Sequence, residues 1–252
     1  MFAVTAQGLL RVWEAQQRAH PVQRAVQLLS EVAPPLGLDG WLHAPIGVRD
    51  GALMHLCETL FGGELHTATT CPHCGERLES RFDVRDLCDA AAAAADDDGR
   101  QVEATFELAH DRWAIACHLP TSDDLLQVAA QRRDDDTAAR LLMQRCILRA
   151  RHGGEDVAAA VLPDDVVERL AGEMARRDPA ADLRIELACP ACGGASSTHF
   201  DVVSYLWSEL DDWAQRTLSD IHTLACAYGW SEDEILALTP ARRQLYVDMV
   251  QA

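Results

Sequence analysis

Two short stretches of this sequence carry cysteines at a spacing that suits a metal ion. One reads CPHCGERLESRFDV and begins at Cys71; the other reads CPACGGASSTHFDV and begins at Cys189. They share Cys, Pro, Cys, Gly, Phe, Asp and Val at matching positions without a gap. Two thiolates separated by two residues can point at one ion if the chain turns tightly, and the following glycine allows that turn. We therefore predict Cys71, Cys74, Cys189 and Cys192 as metal ligands.

Four thiolates predict a single structural zinc ion, Zn2+. Zinc in structural sites is tetrahedral with a closed shell, whereas catalytic zinc keeps one position open for water. The same four-thiolate shell also suits iron. The two pairs are farther apart than the ~15–20 residues that usually separate such ligands, but loop-closure entropy grows only logarithmically with length. A thioredoxin-like redox pair is disfavoured because it needs one motif in a βαβ context, and we expect His73 to be exposed or to support the ligands.

The segments around each cysteine pair alternate in the manner of strands. LHTATT and LESRFDV flank the first pair, and LRIELA and SSTHFDV flank the second. Each pair is thus predicted at the tip of a β-hairpin, and two facing hairpins make a zinc ribbon. The predicted fold class is α+β: a split zinc ribbon of two β-hairpins with a mixed α/β insertion, flanked by N- and C-terminal helices. The predicted parts are 1–44, an N-terminal helical segment; 45–202, the zinc-ribbon body with its insertion at 85–182; and 203–252, a C-terminal helical segment.

Periodicity and caps place the other elements. Helices are predicted over 6–33 with a break at His20–Pro21, and over 48–61, 85–95, 136–150 and 164–177, with a long amphipathic helix from Val203. LPTSDDLLQVAAQ predicts a helix capped by Thr121 or Ser122. QVEATFEL and RWAIACHL predict paired strands, and DDDG at 96–99 predicts a turn.

Charge and composition narrow the classes of function. Asp and Glu total 40 against 22 Arg and no Lys, for a net charge of −18. The absence of lysine excludes a P-loop lysine and a Schiff-base lysine, and the acidic balance disfavours a nucleic-acid partner. No apolar run approaches the ~18–20 residues that a membrane helix needs, so no membrane insertion is expected. The N-terminus has the pattern of an amphipathic helix and not of a signal peptide, which predicts a cytoplasmic protein.

Five further cysteines lie singly within apolar patterns. A free cysteine in that setting behaves as a small buried hydrophobe. We expect this role for Cys57, Cys88, Cys117, Cys146 and Cys226.

No catalytic set stands out, so the sequence favours a non-enzymatic protein. His118, Ser122 and Asp123 are close in sequence, but their short loop favours a helix cap over a triad. The sequence also contains no G-x-S-x-G motif.

The final segment, IHTLACAYGWSEDEILALTPARRQLYVDMV, predicts helix, glycine turn and helix, with Ser231 and Glu234 as a capping box. That form resembles a DNA-binding helix-turn-helix, so a zinc-ribbon/helix-turn-helix nucleic-acid-binding regulator is the alternative interpretation. However, the second helix starts with acidic residues, which would repel phosphates. Aromatic residues and arginine are enriched at interfaces. We therefore predict a partner-binding surface that could meet an acidic helix, formed by Trp230, Leu236, Arg242, Arg243 and Tyr246.

Several motifs in a fixed order resemble a known family. IGVRDGALMHLCETLFG, CPHCG, CHLPTSDDL, CPACG and YGWSEDEILALTPARRQLYV follow one another between about residues 45 and 250. This order resembles the baseplate hub assembly proteins of contractile-tailed phages, and most closely their relatives in extracellular contractile injection systems. The ending also resembles short phage tail proteins.

The resemblance implies an assembly factor or structural component of a baseplate, with no enzymatic activity. Its implied partners are tail or baseplate proteins of the hub, wedge or tape-measure kind. The implied location is the cytoplasm of a bacterial producer cell, with the protein either released from the assembled particle or retained in it.

Overall fold

The computed structural model describes residues 4–33, 36–88, 104–131 and 134–251 of the chain. The N-terminal part is helical, with α1 (Ala6–Ala15), α2 (Pro21–Val32), α3 (Gly37–His43) and α4 (Ile46–Phe61). The break at His20–Pro21 is confirmed, because the His20 side chain caps α2 and Pro21 is its first residue. An antiparallel hairpin follows, β1 (Glu64–Thr70) with β2 (Arg77–Asp83). A short helix, α5, covers residues 84–88.

The insertion is built around a four-stranded antiparallel sheet in the order β3-β4-β5-β6. Its elements are β3 (Thr105–His110), β4 (Trp113–His118), α6 (Ser122–Ala129), α7 (Asp135–Cys146), β5 (Ile147–His152), β6 (Glu155–Val157) and α8 (Asp164–Arg177). A 3-10 turn, Pro179–Asp182, leads out of α8. Helix α8 buries Val166, Leu170 and Met174 in one cluster with Phe106 and Ile115 of the sheet. The insertion thus has a core of its own.

The second hairpin and the terminal helices complete the chain. Strands β7 (Arg184–Ala188) and β8 (Ala195–His199) form the hairpin, and α9 (Val202–Tyr228), α10 (Glu232–Leu236) and α11 (Pro240–Gln251) follow it. Among the helices of the described residues, none has an apolar stretch long enough to cross a bilayer. The predicted α+β class, with a split ribbon, a mixed insertion and terminal helices, is confirmed.

One predicted helix extends too far. The helix expected over 136–150 ends at Cys146, and residues 147–150 belong to strand β5. Strand β4 offers a free edge there, so β5 pairs with it and places Ala150 in the insertion core at 3% exposure. The missed signal is the pair Gly153 and Gly154, whose φ angles of 63° and 94° form the turn into β6. Of the helix predicted at 85–95, residues 85–88 are helical. Residues 89–95, the 96–99 turn and the start of the predicted strand lie outside the described residues.

The largest core lies beneath the two hairpins. Helices α2 and α4 pack against the first half of α9, and Leu29, Leu56 and Leu210 have no exposed surface. The N-terminal helices therefore share a core with the base of the ribbon. Helix α1 also contacts the C-terminal helices, because Leu10 packs in a separate cluster with Leu224.

The sequence repeated after each cysteine pair, Phe-Asp-Val, has the same structural role twice. The rings of Phe82 and Phe200 meet edge to face, with centroids 5.5 Å apart. The aspartate then caps the next helix: Asp83 accepts a hydrogen bond from the backbone of Arg85, and Asp201 accepts one from Ser204. The repeated Phe thus joins the hairpin bases, and the repeated Asp begins the helix after each hairpin.

A buried polar joint connects the insertion to α4. The first turn of α4 has no side-chain cap of its own, because Pro45 precedes it. Asp178, at the end of α8, supplies the acceptor instead: its Oδ2 takes the Gly47 N–H at 2.9 Å. Burial raises the pKa of Asp178, while the Gly47 hydrogen bond opposes that rise. The backbone of Ile46 also donates to the carbonyl of Pro120 at 3.0 Å.

Replacing Gly47 by Ala should break this joint. A Cβ at that position would lie 1.8 Å from Asp178 Oδ1 and 2.9 Å from the backbone nitrogen of Ala181. The clash and the lost buried hydrogen bond should lower the free energy of unfolding by about 2–4 kcal/mol. Urea denaturation followed by circular dichroism measures the change.

Gly51→Ala is the matched control in the same helix. No atom lies within 4 Å of a Cβ placed there, so the gain in helix propensity should leave stability unchanged or raise it by up to ~1 kcal/mol. Equal stability of the Gly47→Ala and Gly51→Ala variants would contradict the joint.

Candidate metal centre

The two cysteine turns have the same backbone geometry. Strand register ends at Thr70 and Arg77 in the first hairpin and at Ala188 and Ala195 in the second. In the first turn, the backbone N–H of Cys71 donates to the Glu76 carbonyl at 2.8 Å. In the second, the backbone N–H of Cys189 donates to the Gly194 carbonyl at 2.9 Å. The sequence repeat is therefore a repeat of structure.

A glycine with positive φ follows the second cysteine of each turn. Gly75 has φ 77° and Gly193 has φ 71°, in the left-handed region that favours glycine. Their N–H groups donate back to the carbonyls of Cys71 and Cys189 at 2.9 and 2.8 Å. This closed turn aims both thiols of each pair in one direction.

The four predicted cysteines meet at one point. Their sulfur atoms all lie within 4.8 Å of one another. Cys71 Sγ is 3.8 Å from Cys192 Sγ, and Cys74 Sγ is 3.7 Å from Cys189 Sγ. Four zinc–sulfur bonds of about 2.3 Å in a tetrahedron set an edge of about 3.8 Å, so these distances fit one ion. Each of these two contacts joins one hairpin to the other, and the four-cysteine cluster can hold one metal ion.

The pKa values of the cysteine thiols in the cluster favour binding of a cation. Backbone N–H groups of His73 and Cys74 donate to the Cys71 sulfur and lower the pKa of Cys71 to about 6. At Cys74 the N–H of Glu76 acts in the same direction, but desolvation of the sulfur inside the cluster and the neighbouring sulfurs outweigh it and raise the pKa to about 12. The Cys71 thiol thus ionises readily, whereas the Cys74 thiol resists ionisation because negative charge accumulates on the sulfurs as thiolates form. A divalent ion would remove that resistance.

His73 supports the cluster from the surface. It is exposed, as expected, and its Nε2 lies 3.1 Å from the carbonyl oxygen of Ala195 on the opposite hairpin. The ring covers Gly194 so closely that a Cβ on that glycine would lie 2.6 Å from His73 Cδ2. The imidazole therefore bridges the two turns beside the sulfurs.

A small apolar floor underlies the sulfur atoms. The inner cysteines, Cys71 and Cys189, are each 2% exposed and cluster with Leu78, with Leu187 packed against them. The outer pair, Cys74 and Cys192, is exposed. The floor keeps water from the inner sulfurs, and the closed four-sulfur set matches a structural site.

The remaining cysteines divide into two groups. Cys57, Cys117 and Cys146 are buried, as predicted, and burial raises the pKa of Cys57 and Cys117 to about 11. The prediction is wrong for Cys88 and Cys226, which are exposed. Helix α9 packs only one face on the core, and Cys226 lies on its outer face beside His222.

A second group of possible ligand atoms is occupied by hydrogen bonds. His118, Asp124 and Cys146 offer atoms within 4.8 Å of one another. The ring nitrogens of His118, however, lie 2.9 and 3.2 Å from the carbonyl oxygens of Leu119 and Arg145. Asp124 accepts from the Arg145 side chain at 3.2 Å. This group joins α6 to α7.

The predicted cap at the start of α6 is confirmed. Thr121 is the capping residue, and Asp124 completes a capping box with it. Ser122 has no exposed surface and its Oγ accepts from Arg49 Nη1 at 3.2 Å. Ser122 thus belongs to the joint with α4.

The predicted partner surface is divided between the interior and the exterior. Trp230, Leu236 and Tyr246 are half-buried, and Arg242 is exposed. Arg243 is 6% exposed, and its Nε donates to Asp220 Oδ2 at 3.2 Å. It faces α9 because it lies one turn before the buried Val247. Arg243 is therefore not available to a partner, which corrects its assignment to that surface.

Comparisons with models of known protein families, with curated proteins and with solved structures found no match to this chain.

Replacing Cys74 or Cys192 by Ser should loosen both hairpins together. Structural zinc contributes ~10–16 kcal/mol of apparent binding energy in small peptides, so partial loss of it would rival the ~5–15 kcal/mol stability of a domain. We expect one zinc per chain in the native protein and less than stoichiometric zinc in either variant. Metal analysis and hydrogen exchange of both hairpins measure these effects, and a chelator should reproduce the exchange change in the native chain.

Cys226→Ser is the control, because this exposed thiol lies outside the cluster. It should keep the metal content and the melting curve of the native chain. Two metal ions per chain, or unaltered melting of both ligand variants, would disprove a shared site.

Proposed function

We propose that this chain is a non-enzymatic, zinc-containing assembly factor or structural component of a phage-tail-like contractile injection system baseplate. The observation that carries the proposal is the four-cysteine cluster, which closes the two hairpins around the long insertion. The motifs that carry the family resemblance include both cysteine turns. A role as a protein scaffold follows from a metal site that organises the chain and leaves no coordination position for a substrate.

Contact between two other motifs of the resemblance supports the proposal. IGVRD begins α4 and LPTSDD begins α6, and they meet through the Arg49–Ser122 hydrogen bond. Arg49 is 3% exposed and also pairs with Asp50 at 2.7 Å. Buried polar groups in such a joint stabilise one relative placement of insertion and body. These motifs thus have a structural explanation that requires no reaction.

The charge of the C-terminal helices favours a protein partner over the alternative of a nucleic acid. The helix that would approach DNA, α10, begins with Glu232, Asp233 and Glu234, all exposed. The backbone N–H of Ser231 lowers the pKa of Glu234, so this carboxylate stays ionised. Three carboxylates at the leading end of the helix would repel phosphates.

Recovery of baseplate proteins with the intact chain tests the function. The tagged full-length protein should co-purify with a hub, wedge or tape-measure protein from cells that produce injection particles, as mass spectrometry would show. Cells of the same strain that lack the injection gene cluster are the control. Recovery of only metabolic enzymes or nucleic acid would reject the proposal.

A band-shift assay tests the nucleic-acid alternative. With a net charge of −18, the protein should give no shift of duplex DNA at ~50 mM salt, where phosphate contacts are strongest. Tight binding that weakens steeply as salt rises would instead favour the helix-turn-helix interpretation.

A further inference from the structure

Helix α11 has a buried edge and an exposed apolar edge. Val247 and Arg243 face α9, and they are 4% and 6% exposed. On the other side, Leu245 and Met249 are 58% and 65% exposed, one turn apart. Arg242 and Tyr246 lie on the same side by helical spacing. We call Tyr228, Arg242, Leu245, Tyr246 and Met249 the outer strip.

An aromatic cluster holds one end of the outer strip rigid. Tyr228 stacks on Trp230 with centroids 4.8 Å apart, and Trp230 meets Tyr246 edge to face at 5.1 Å. Arg242 Nη2 donates to the Tyr246 hydroxyl at 3.3 Å. Tyr228 is nevertheless 42% exposed. Aromatic side chains that are already ordered lose little further entropy when a partner binds, and Tyr, Trp, Met and Arg are enriched in interface cores.

The charge around the outer strip is negative. Ser231 follows Trp230 directly, so the exposed Glu232, Asp233 and Glu234 lie two to four residues after Trp230 in the chain. Arg243 does not offset them, because its charge is paired with Asp220. Arg242 adds one positive charge within the strip, against the three carboxylates of α10. Carboxylates that lie this close in the chain to the strip bias which charged partner can bind there.

We propose that the outer strip binds a basic amphipathic helix of a partner protein. Leu245 and Met249 form an apolar ridge of the kind that packs into the groove of another helix. The neighbouring carboxylates favour a partner with Lys or Arg along the rim of its apolar face. A second copy of this chain is disfavoured, because two chains of net charge −18 repel each other. The inference deepens the proposed function. It rests on that function only in one respect, the identity of the protein that supplies the helix.

The test uses designed peptides and the intact chain. Two labelled helical peptides of about 18 residues share a leucine face and differ in their polar face, Lys in one and Glu in the other. Fluorescence anisotropy measures binding to the native protein and to the double variant Leu245→Gln/Met249→Gln. Both replaced side chains are mostly exposed, so the variant should melt as the native chain does. This variant avoids truncating the segment, which would remove the fully buried Ile235.

Leu148→Gln/Val161→Gln is the matched control. These side chains are 61% and 60% exposed, carry no charge and lie in the insertion. We expect the Lys peptide to bind the native chain and this control equally, and to bind Leu245→Gln/Met249→Gln about tenfold more weakly. The Glu peptide should not bind.

Four results would overturn the inference. Equal binding of the Lys peptide to both double variants would show that the peptide binds by attraction to the net negative charge of the protein and not at the outer strip. Preference for the Glu peptide would assign an acidic partner, and absence of binding by either peptide would remove the helix site. Dimers in sedimentation that disappear in Leu245→Gln/Met249→Gln would assign the strip to a second copy. Co-purification of baseplate proteins is measured separately. The proposed function is therefore accepted or rejected independently of the peptide-binding results.

Discussion

The closure of four cysteine sulfurs around one point is the constraint on which the rest of the structure depends. The two hairpins form separate two-stranded sheets and do not pair with each other through their backbones. An isolated two-stranded hairpin is at best marginally stable. Here the sulfurs, the His73 bridge and the Phe82–Phe200 contact join the hairpins at successive levels from tip to base. A metal ion at the tips would thus supply the stabilisation that additional strands supply in a larger sheet.

The insertion is held at both ends by that same closure. It leaves the first hairpin after Asp83 and returns at Arg184, so the ribbon fixes the separation of its two ends. The sheet and α8 then form an independent core, and the Asp178–Gly47 and Arg49–Ser122 bonds set its placement against α4. Because loop-closure entropy rises slowly with length, a long insertion costs little more than a short one once its ends are joined. The buried hydrogen bonds also fix the orientation of the insertion relative to α4, because hydrogen bonds are directional and apolar contacts are not.

The distribution of charge follows from how the arginines are used. Several arginines form salt bridges within the chain. Arg243 pairs with Asp220, and Arg145 pairs with Asp123 and Asp124. Arg149 and Arg151 both pair with Asp156. Arg149 in particular, together with Arg151, lowers the pKa of Asp156 to about 2. With 40 acidic and 22 basic residues in all, such pairing leaves the excess as exposed carboxylates. The outer strip therefore combines apolar and aromatic contact area with one arginine and lies next in the chain to the carboxylates of α10, a combination that suits a protein surface better than nucleic acid.

Interactions between residues close in the sequence explain why much of the fold and the metal site could be predicted from the sequence. Cysteine spacing, the following glycine and strand alternation are properties of short segments, and they were sufficient for both hairpins, the ligand set and the caps at Thr121 and Ser231. What the tertiary structure decided depends on neighbours that are distant in sequence. Residues 147–150 are a strand because β4 leaves an edge for them. Cys226 is exposed because none of the described residues covers that face of α9, and Arg243 is buried because Asp220 lies opposite it. Helix periodicity specifies which residues share a face, but only packing determines which face is covered.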